Sequence, residues 1–138
     1  VALTAFIPIL MDTGGNCGSQ SSVTVIRGLS LGQVGFSDWL RVLWKETRIS
    51  ALCAAALAAV NFLRLLVMSH VGMGIALTVS LTLAVTVITS DLIGSALPII
   101  AKRLGFDPAV MASPLITTVV DATSLLTYFW MASWLLGL

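Results

Sequence analysis

Two aspartates stand in segments that are otherwise almost wholly apolar: Asp91 in Thr-Ser-Asp-Leu-Ile-Gly and Asp121 in Val-Val-Asp-Ala-Thr-Ser. At helical spacing Asp121 shares a face with Thr117, Thr118 and Ser124, with Tyr128 one turn further on, while the opposite face is Leu, Val, Ile and Phe. An Asp at the centre of a membrane span costs about 2.5–3.5 kcal/mol on insertion scales, so such a residue is a functional candidate by default. A carboxylate in a stripe of hydroxyls reads as the lining of a water-filled path, with Thr118 and Ser124 as further lining. The alternative is that Asp121 only hydrogen-bonds a neighbouring helix. Asp91 shares its face with Gly94, Ser95 and Pro98. Small residues there admit a second helix closely, and Pro98 frees the carbonyl of Gly94. For Asp91, ion binding and helix packing both stay open.

A third group is Asp12-Thr-Gly-Gly-Asn16-Cys-Gly-Ser-Gln20. Gly14, Gly15 and Gly18 predict a break in helical structure. At membrane depth a broken helix is tolerated only beside a cavity, where its carbonyls find partners. Asn16 and Asp12 would add side-chain oxygen, and Gly15 would let the backbone line the cavity. A plain glycine-rich turn is the other reading. Taken together, the candidate ligands are carboxylate, amide, hydroxyl and carbonyl. Cys17 and Cys53 are far apart, form no C-x-x-C and read as small apolar fillers, and His70 stands alone. Hard oxygen suits Mg²⁺, Ca²⁺ or Mn²⁺ rather than Zn²⁺ or Cu²⁺. Mg²⁺ sheds water reluctantly, so a wide, hydroxyl-lined path with an isolated carboxylate suits a hydrated ion.

The elements that would position these residues follow from composition. The chain has 138 residues, 58% hydrophobic and 9% charged, with a mean hydropathy of +1.05. Soluble domains carry about 25% charged residues, so the chain reads as an integral membrane protein. A net charge of +1 and the lack of a basic stripe exclude nucleic-acid binding. Residues 1–11 have no basic n-region and no A-x-A site, against a secretory signal. Three segments reach the roughly 20 apolar residues that a span needs: Ile49 to Ser69, Val71 to Ala101 and Pro114 to Leu138. Residues 1–11 would cover about 16 Å, the C-terminal part of a preceding span. They suggest a longer natural chain upstream.

Between the half-span and the first full span, Ser19 to Leu31 predicts a short helix ending near Gly32 and Gly35. Ser37 is the expected N-cap of an amphipathic helix with Trp39, Leu40, Leu43 and Trp44 apart from Arg41, Lys45 and Arg48, running directly into the first full span. Asp107-Pro108 and Ser113-Pro114 predict a short turn over Pro108–Ala112 and the start of the last span. Asn61 and Arg64 share a face and read as interhelical glue, Arg64 snorkelling outward. Trp130 and Trp134 fit an aromatic belt. The positive-inside rule places Gly14–Arg48 and Lys102–Pro108 in the cytoplasm and the C-terminus outside, in the cell's inner (plasma) membrane. Three complete helices are too few to enclose a pore, so a homodimer is expected, with the path near its twofold axis and Asp121 facing its copy. The predicted fold is an all-α polytopic helical bundle: three full spans plus part of a preceding one, one ion-conducting domain over residues 1–138, with membrane lipid around it.

The ordered set Pro8-x-x-x-Asp12-Thr-Gly-Gly-Asn16-x-Gly18-x-Gln20, Arg27-Gly-Leu, Gly94-x-x-Leu97-Pro98, Lys102-Arg-Leu-Gly-x-Asp107-Pro108 and Ser113-Pro-Leu with Asp121 resembles the signature of the MgtE family of magnesium channels. The resemblance covers essentially the whole chain. It implies a five-helix transmembrane domain that forms a homodimer with a central Mg²⁺ pore. Asp121 would hold hydrated Mg²⁺ through its waters, with Asn16 and Thr117 lining the site. Asp12 and Asp91 would be additional carboxylates that alter ion preference or add a second site. The family's first helix and its cytoplasmic regulatory domains are expected outside residues 1–138. Two other classes stay in view. A proton- or sodium-coupled carrier of the same fold is the nearer one. An intramembrane aspartyl protease is remote, because it needs two carboxylates sharing a proton and the contexts of Asp91 and Asp121 lack its Tyr-Asp and Gly-x-Gly-Asp patterns. No enzymatic activity is expected.

Overall fold

The computed structural model describes residues 3–68, 71–111 and 114–137. Four helices carry them: α1 (Ile7–Ser30), α2 (Trp39–Met68), α3 (Met73–Arg103) and α4 (Pro114–Leu136), with short 3-10 turns at Thr4–Phe6, Phe36–Asp38 and Pro108–Met111. There is no strand among the described residues. Three helices are long and apolar enough to cross a membrane: α2 with the turn before it, α3 and α4. The all-α membrane bundle expected from sequence is the observed class. The amphipathic start of α2 does run unbroken into the first span.

The predicted break at Gly14–Gly18 is not there. α1 continues through all three glycines for 24 residues, about 36 Å at 1.5 Å per residue. The expected half-span is therefore a full-length helix. Residues 14–30 belong to that helix and pack within the bundle. The physical reason is packing. Gly14, Gly15 and Gly18 are buried, and the four-residue step from Gly14 to Gly18 puts both on one face. A glycine costs about 1 kcal/mol of helix propensity. Close approach of neighbouring helices offsets that cost where small residues meet.

The tightest meeting is between Gly18 and Gly94. A Cβ on Gly94 would run into the carbonyl oxygen of Gly18, and one on Gly18 would lie 3.0 Å from the Ser90 carbonyl oxygen. α3 is the central helix, packed against each of the other three, and α1 also packs on α4. Polarity is inverted relative to a soluble domain. Glu46, Ser50 and Asn61 of α2 are buried, while Leu52, Val60, Leu63 and Val67 face outward. A lipid environment provides no hydrophobic driving force between helices, so contact between small residues and polar ties must join them. One such tie is Asn61, whose Nδ2 donates to Ser80 Oγ at 3.2 Å and whose Oδ1 accepts from Arg64 at 3.0 Å. That agrees with the role expected for this pair. Trp130 and Trp134 are exposed and stacked, 6.5 Å between ring centroids.

The helix ends follow local chemistry. α1 closes with Gly32 at φ +68° and α3 with Gly105 at φ +80°. In both, the residue after the glycine returns its N–H to a carbonyl five positions back: Gln33 to Gly28 at 2.9 Å and Phe106 to Ala101 at 2.9 Å. This is the Schellman arrangement, which needs a left-handed residue that glycine supplies without strain. Ser37 is not the cap before α2. It lies inside the 3-10 turn Phe36–Asp38, whose last residue, Asp38, accepts from the Gly35 N–H at 3.0 Å. Asp107 does cap as expected, accepting from the Ala109 N–H at 2.9 Å. The expected turn after Pro108 is seen over Pro108–Met111. Ser113, Ala112 and His70 lie outside the described residues.

Candidate functional site

A continuous α1 gathers what a loop was expected to gather. Met11, Asp12, Gly15 and Asn16 fall on one face of α1, and Thr117 and Asp121 lie one turn apart on α4. These six line a cavity of about 200 Å³. Gly15 is where α4 comes near: a Cβ there would lie 3.5 Å from Thr117 Cγ2 and 4.0 Å from Asp121 Oδ1. Asp12 and Asn16 are exposed, and Thr117 and Asp121 half-buried. Thr117 Oγ1 donates to the Pro114 carbonyl at 3.1 Å. The lining thus holds two carboxylates, one amide and one hydroxyl, with no imidazole or thiolate; the thioether of Met11 is its one soft group. Among the described residues no group of three or more His, Cys, Asp or Glu is placed to hold a bare metal ion. Two carboxylates with amide and hydroxyl oxygen suit an ion that keeps most of its waters.

The rest of the expected polar stripe on α4 turns elsewhere. Ser124 is 2% exposed, donates to the Val120 carbonyl at 2.7 Å and faces Gly14 of α1. Tyr128 is buried and donates to the Leu3 carbonyl at 2.7 Å. Thr118 is exposed, bonds to Pro114 at 2.8 Å and does not line the cavity. Ser124 and Tyr128 lie on the same four-residue row as Ile116 and Val120, which points into the bundle. Asp121 lies one step off that row, at its edge.

Asp91 is not brought to Asp121. It sits on the other side of α1, 7% exposed, and accepts from Ser21 Oγ at 3.1 Å. The same hydroxyl lies 2.9 Å from Glu46 Oε2. Glu46, also 7% exposed, had no assigned role in sequence. Its signal was weak but present: it is the acidic residue in a basic run, and with Ser50 and Ala54 it forms the small or polar row of α2. A second groove of about 390 Å³ runs past this trio. Cys17 and Cys53, distant in sequence, both reach that groove, and Asn16 borders both cavities. One hydroxyl proton cannot serve two carboxylates at once. A further proton, a cation or a hydrogen from water between the oxygens would complete the trio.

Residues 7–131 match the family model described as MgtE, divalent cation transporter. The chain belongs to the MgtE family. Relatives named "Magnesium transporter MgtE" include one from Thermus thermophilus, 37% identical over 98% of this chain. Those of Bacillus subtilis and Enterococcus faecalis are 36% and 33% identical over 96% and 95%. The chain spans 29–30% of the length of these MgtE relatives. Family membership and three apolar helices make it a membrane-embedded protein.

Proposed function

We propose that this chain is the ion-conducting part of a magnesium transporter. Hydrated Mg²⁺ passes along the face shared by α1 and α4, and Asp121 binds the ion through its waters. Asn16, Thr117 and Asp12 complete the lining, with Gly15 admitting the ion's hydration shell beside the helix backbone. The observation that supports this most is the convergence of Asp12, Asn16, Thr117 and Asp121 on one open cavity, from segments about 100 positions apart in sequence. That cavity opens at the outer surface of a single chain, where lipid would otherwise meet carboxylates. A second copy facing it would close the path, so the working unit is a homodimer with Asp121 near the twofold axis. Arg27, Arg41, Lys45, Arg48, Lys102 and Arg103 cluster at the end where α1 meets α2 and α3 meets α4. By the positive-inside rule that end is cytoplasmic in the inner membrane and the C-terminus lies outside. Cytoplasmic regulatory domains account for the relatives' greater length.

The test is Mg²⁺ flux into proteoliposomes carrying the full chain. Asp121→Asn keeps shape and removes charge. It should cut flux at least tenfold while the protein stays a monodisperse dimer. Retained flux in a folded Asp121→Asn dimer removes the site. The Glu46–Ser21–Asp91 trio favours a second reading, a proton-coupled carrier, because it has room for one more proton. That reading requires flux driven by a pH gradient and loss of that drive in Glu46→Gln. Flux that follows the Mg²⁺ gradient alone, in the parent chain and in Glu46→Gln, leaves the channel.

A further inference from the structure

We propose that the groove between the start of α2 and the end of α3 is a binding site for one anionic phospholipid of the surrounding bilayer. Phe36, Trp39 and Leu43 form one wall and Ile100 and Leu104 the other, with Arg103 at the mouth, around a cavity of about 390 Å³. This is a separate cavity from both described above. It is almost entirely apolar along its length and carries a single cation. Its place in the fold matters: it lies where one spanning helix begins and another ends, which is the depth of lipid headgroups.

Arg103 is held ready over this groove. Its guanidinium carbon stands 4.6 Å from the centroid of the Phe36 ring. A cation–π contact uses the flat face of the guanidinium and leaves the N–H edges outward. Among the described residues the ion pair is Arg41 with Asp38 at 3.9 Å, and no carboxylate lies within ion-pair distance of Arg103. Its neighbour Lys102 is directed elsewhere, donating to the Leu29 carbonyl at 3.3 Å. Charge around the mouth is lopsided in the same sense. Arg27, Arg41, Lys45, Arg48, Lys102 and Arg103 lie at this end against Asp38, which pairs with Arg41, and Asp107, which caps the turn after α3, while Glu46 is turned inward onto Ser21. A phosphate meets a guanidinium edge through paired charge-assisted hydrogen bonds, and an acyl chain fits the apolar walls beneath it. A zwitterionic lipid brings its own cation to a surface that is already positive. A lipid of net negative charge does not, so the site selects by headgroup charge.

Trp39 lines the groove and reports on it. The experiment uses the full chain with Trp44, Trp130 and Trp134 replaced by Phe. It is placed in mixed vesicles with brominated phosphatidylglycerol or brominated phosphatidylcholine, and quenching of Trp39 is measured. Phosphatidylglycerol should be preferred about fivefold at Trp39, the size expected for one favourable cation. Arg103→Gln should bring that ratio close to one, and Arg41→Gln, already paired with Asp38, should leave most of it. Equal quenching by both lipids in the parent chain overturns the site. So does a preference that survives Arg103→Gln, since it would then reflect the basic surface at large. Failure of either lipid to quench Trp39 means that another copy or another part of the full chain fills the groove, and also overturns it. The readout is independent of ion flux, so this result and that of Asp121→Asn stand apart.

Discussion

Two glycines of α3 should respond in opposite directions to the same substitution. Gly94→Ala drives a methyl into the backbone of α1 at Gly18, where oxygen, carbonyl carbon and Cα all lie closer than a Cβ tolerates. Backbone cannot rotate aside, so the two helices must separate. Overpacking of this kind costs typically 1–3 kcal/mol, and contact with backbone puts it near the upper end, about 3 kcal/mol. The gain in helix propensity from Gly to Ala returns about 1 kcal/mol. The net loss is about 2 kcal/mol. Gly74→Ala in the same helix meets only the tip of Leu136, at 3.4 Å. It should keep the propensity gain and leave the protein unchanged or slightly more stable. The assay is the temperature at which half of the purified full chain in detergent leaves its monodisperse peak. A lower value for Gly94→Ala beside an equal or higher value for Gly74→Ala is expected. Equal shifts for the two variants, or an unharmed Gly94→Ala, would refute the claim that α1 and α3 touch at Gly18 and Gly94. Because α1 carries Asp12 and Asn16, Gly94→Ala should also lower Mg²⁺ flux without touching any lining residue.

Two further variants probe the ties between helices. Asn61→Ala leaves Ser80 and Arg64 without their shared partner. It should lower stability by about 1 kcal/mol, in line with interhelical hydrogen bonds in membranes, as read in the same thermal assay. Tyr128→Phe removes the bond to the Leu3 carbonyl but keeps the ring. It should cost about 0.6 kcal/mol, and protease cleavage near the start of α1 should become faster. No change in cleavage would mean that the ring alone anchors that end.

The spans were legible because length and apolarity are properties of a segment by itself. So were Asp107 as a cap and Gly32 as the close of α1, since each acts on backbone a few residues away. The glycines at 14, 15 and 18 were misleading for the opposite reason. Alone, they weaken a helix; their use is apparent only with Thr117, Ser90 and Gly94 opposite them. The four-residue step between Gly14 and Gly18 was the signal for a packed face. Site residues fared similarly. Asp12, Asn16, Thr117 and Asp121 stood out by chemistry, and the structure puts them in one cavity. The row through Ser124 and Tyr128 turns away from that cavity, because one residue's rotation around α4 separates the cavity from the core. Glu46 is masked by its basic neighbours, and its burial in the row with Ser50 and Ala54 and its bond to Ser21 distinguish it from a surface charge.

The hydroxyls of α4 have a mechanical meaning. Thr118, Thr123, Ser124 and Thr127 each donate to a carbonyl of their own helix. Such bonds travel with the helix that makes them. If α4 slides or turns against α3, none of the four has to break and find a new partner. The resistance to that movement is steric, set by Ile116, Val120 and Ser124 seated against their neighbours. Tyr128 behaves differently, since its bond to Leu3 ties α4 to the segment that leads into α1. A tilt of α4 would therefore pivot about Tyr128, somewhat past the middle of the helix, and would carry Asp121 further than Tyr128.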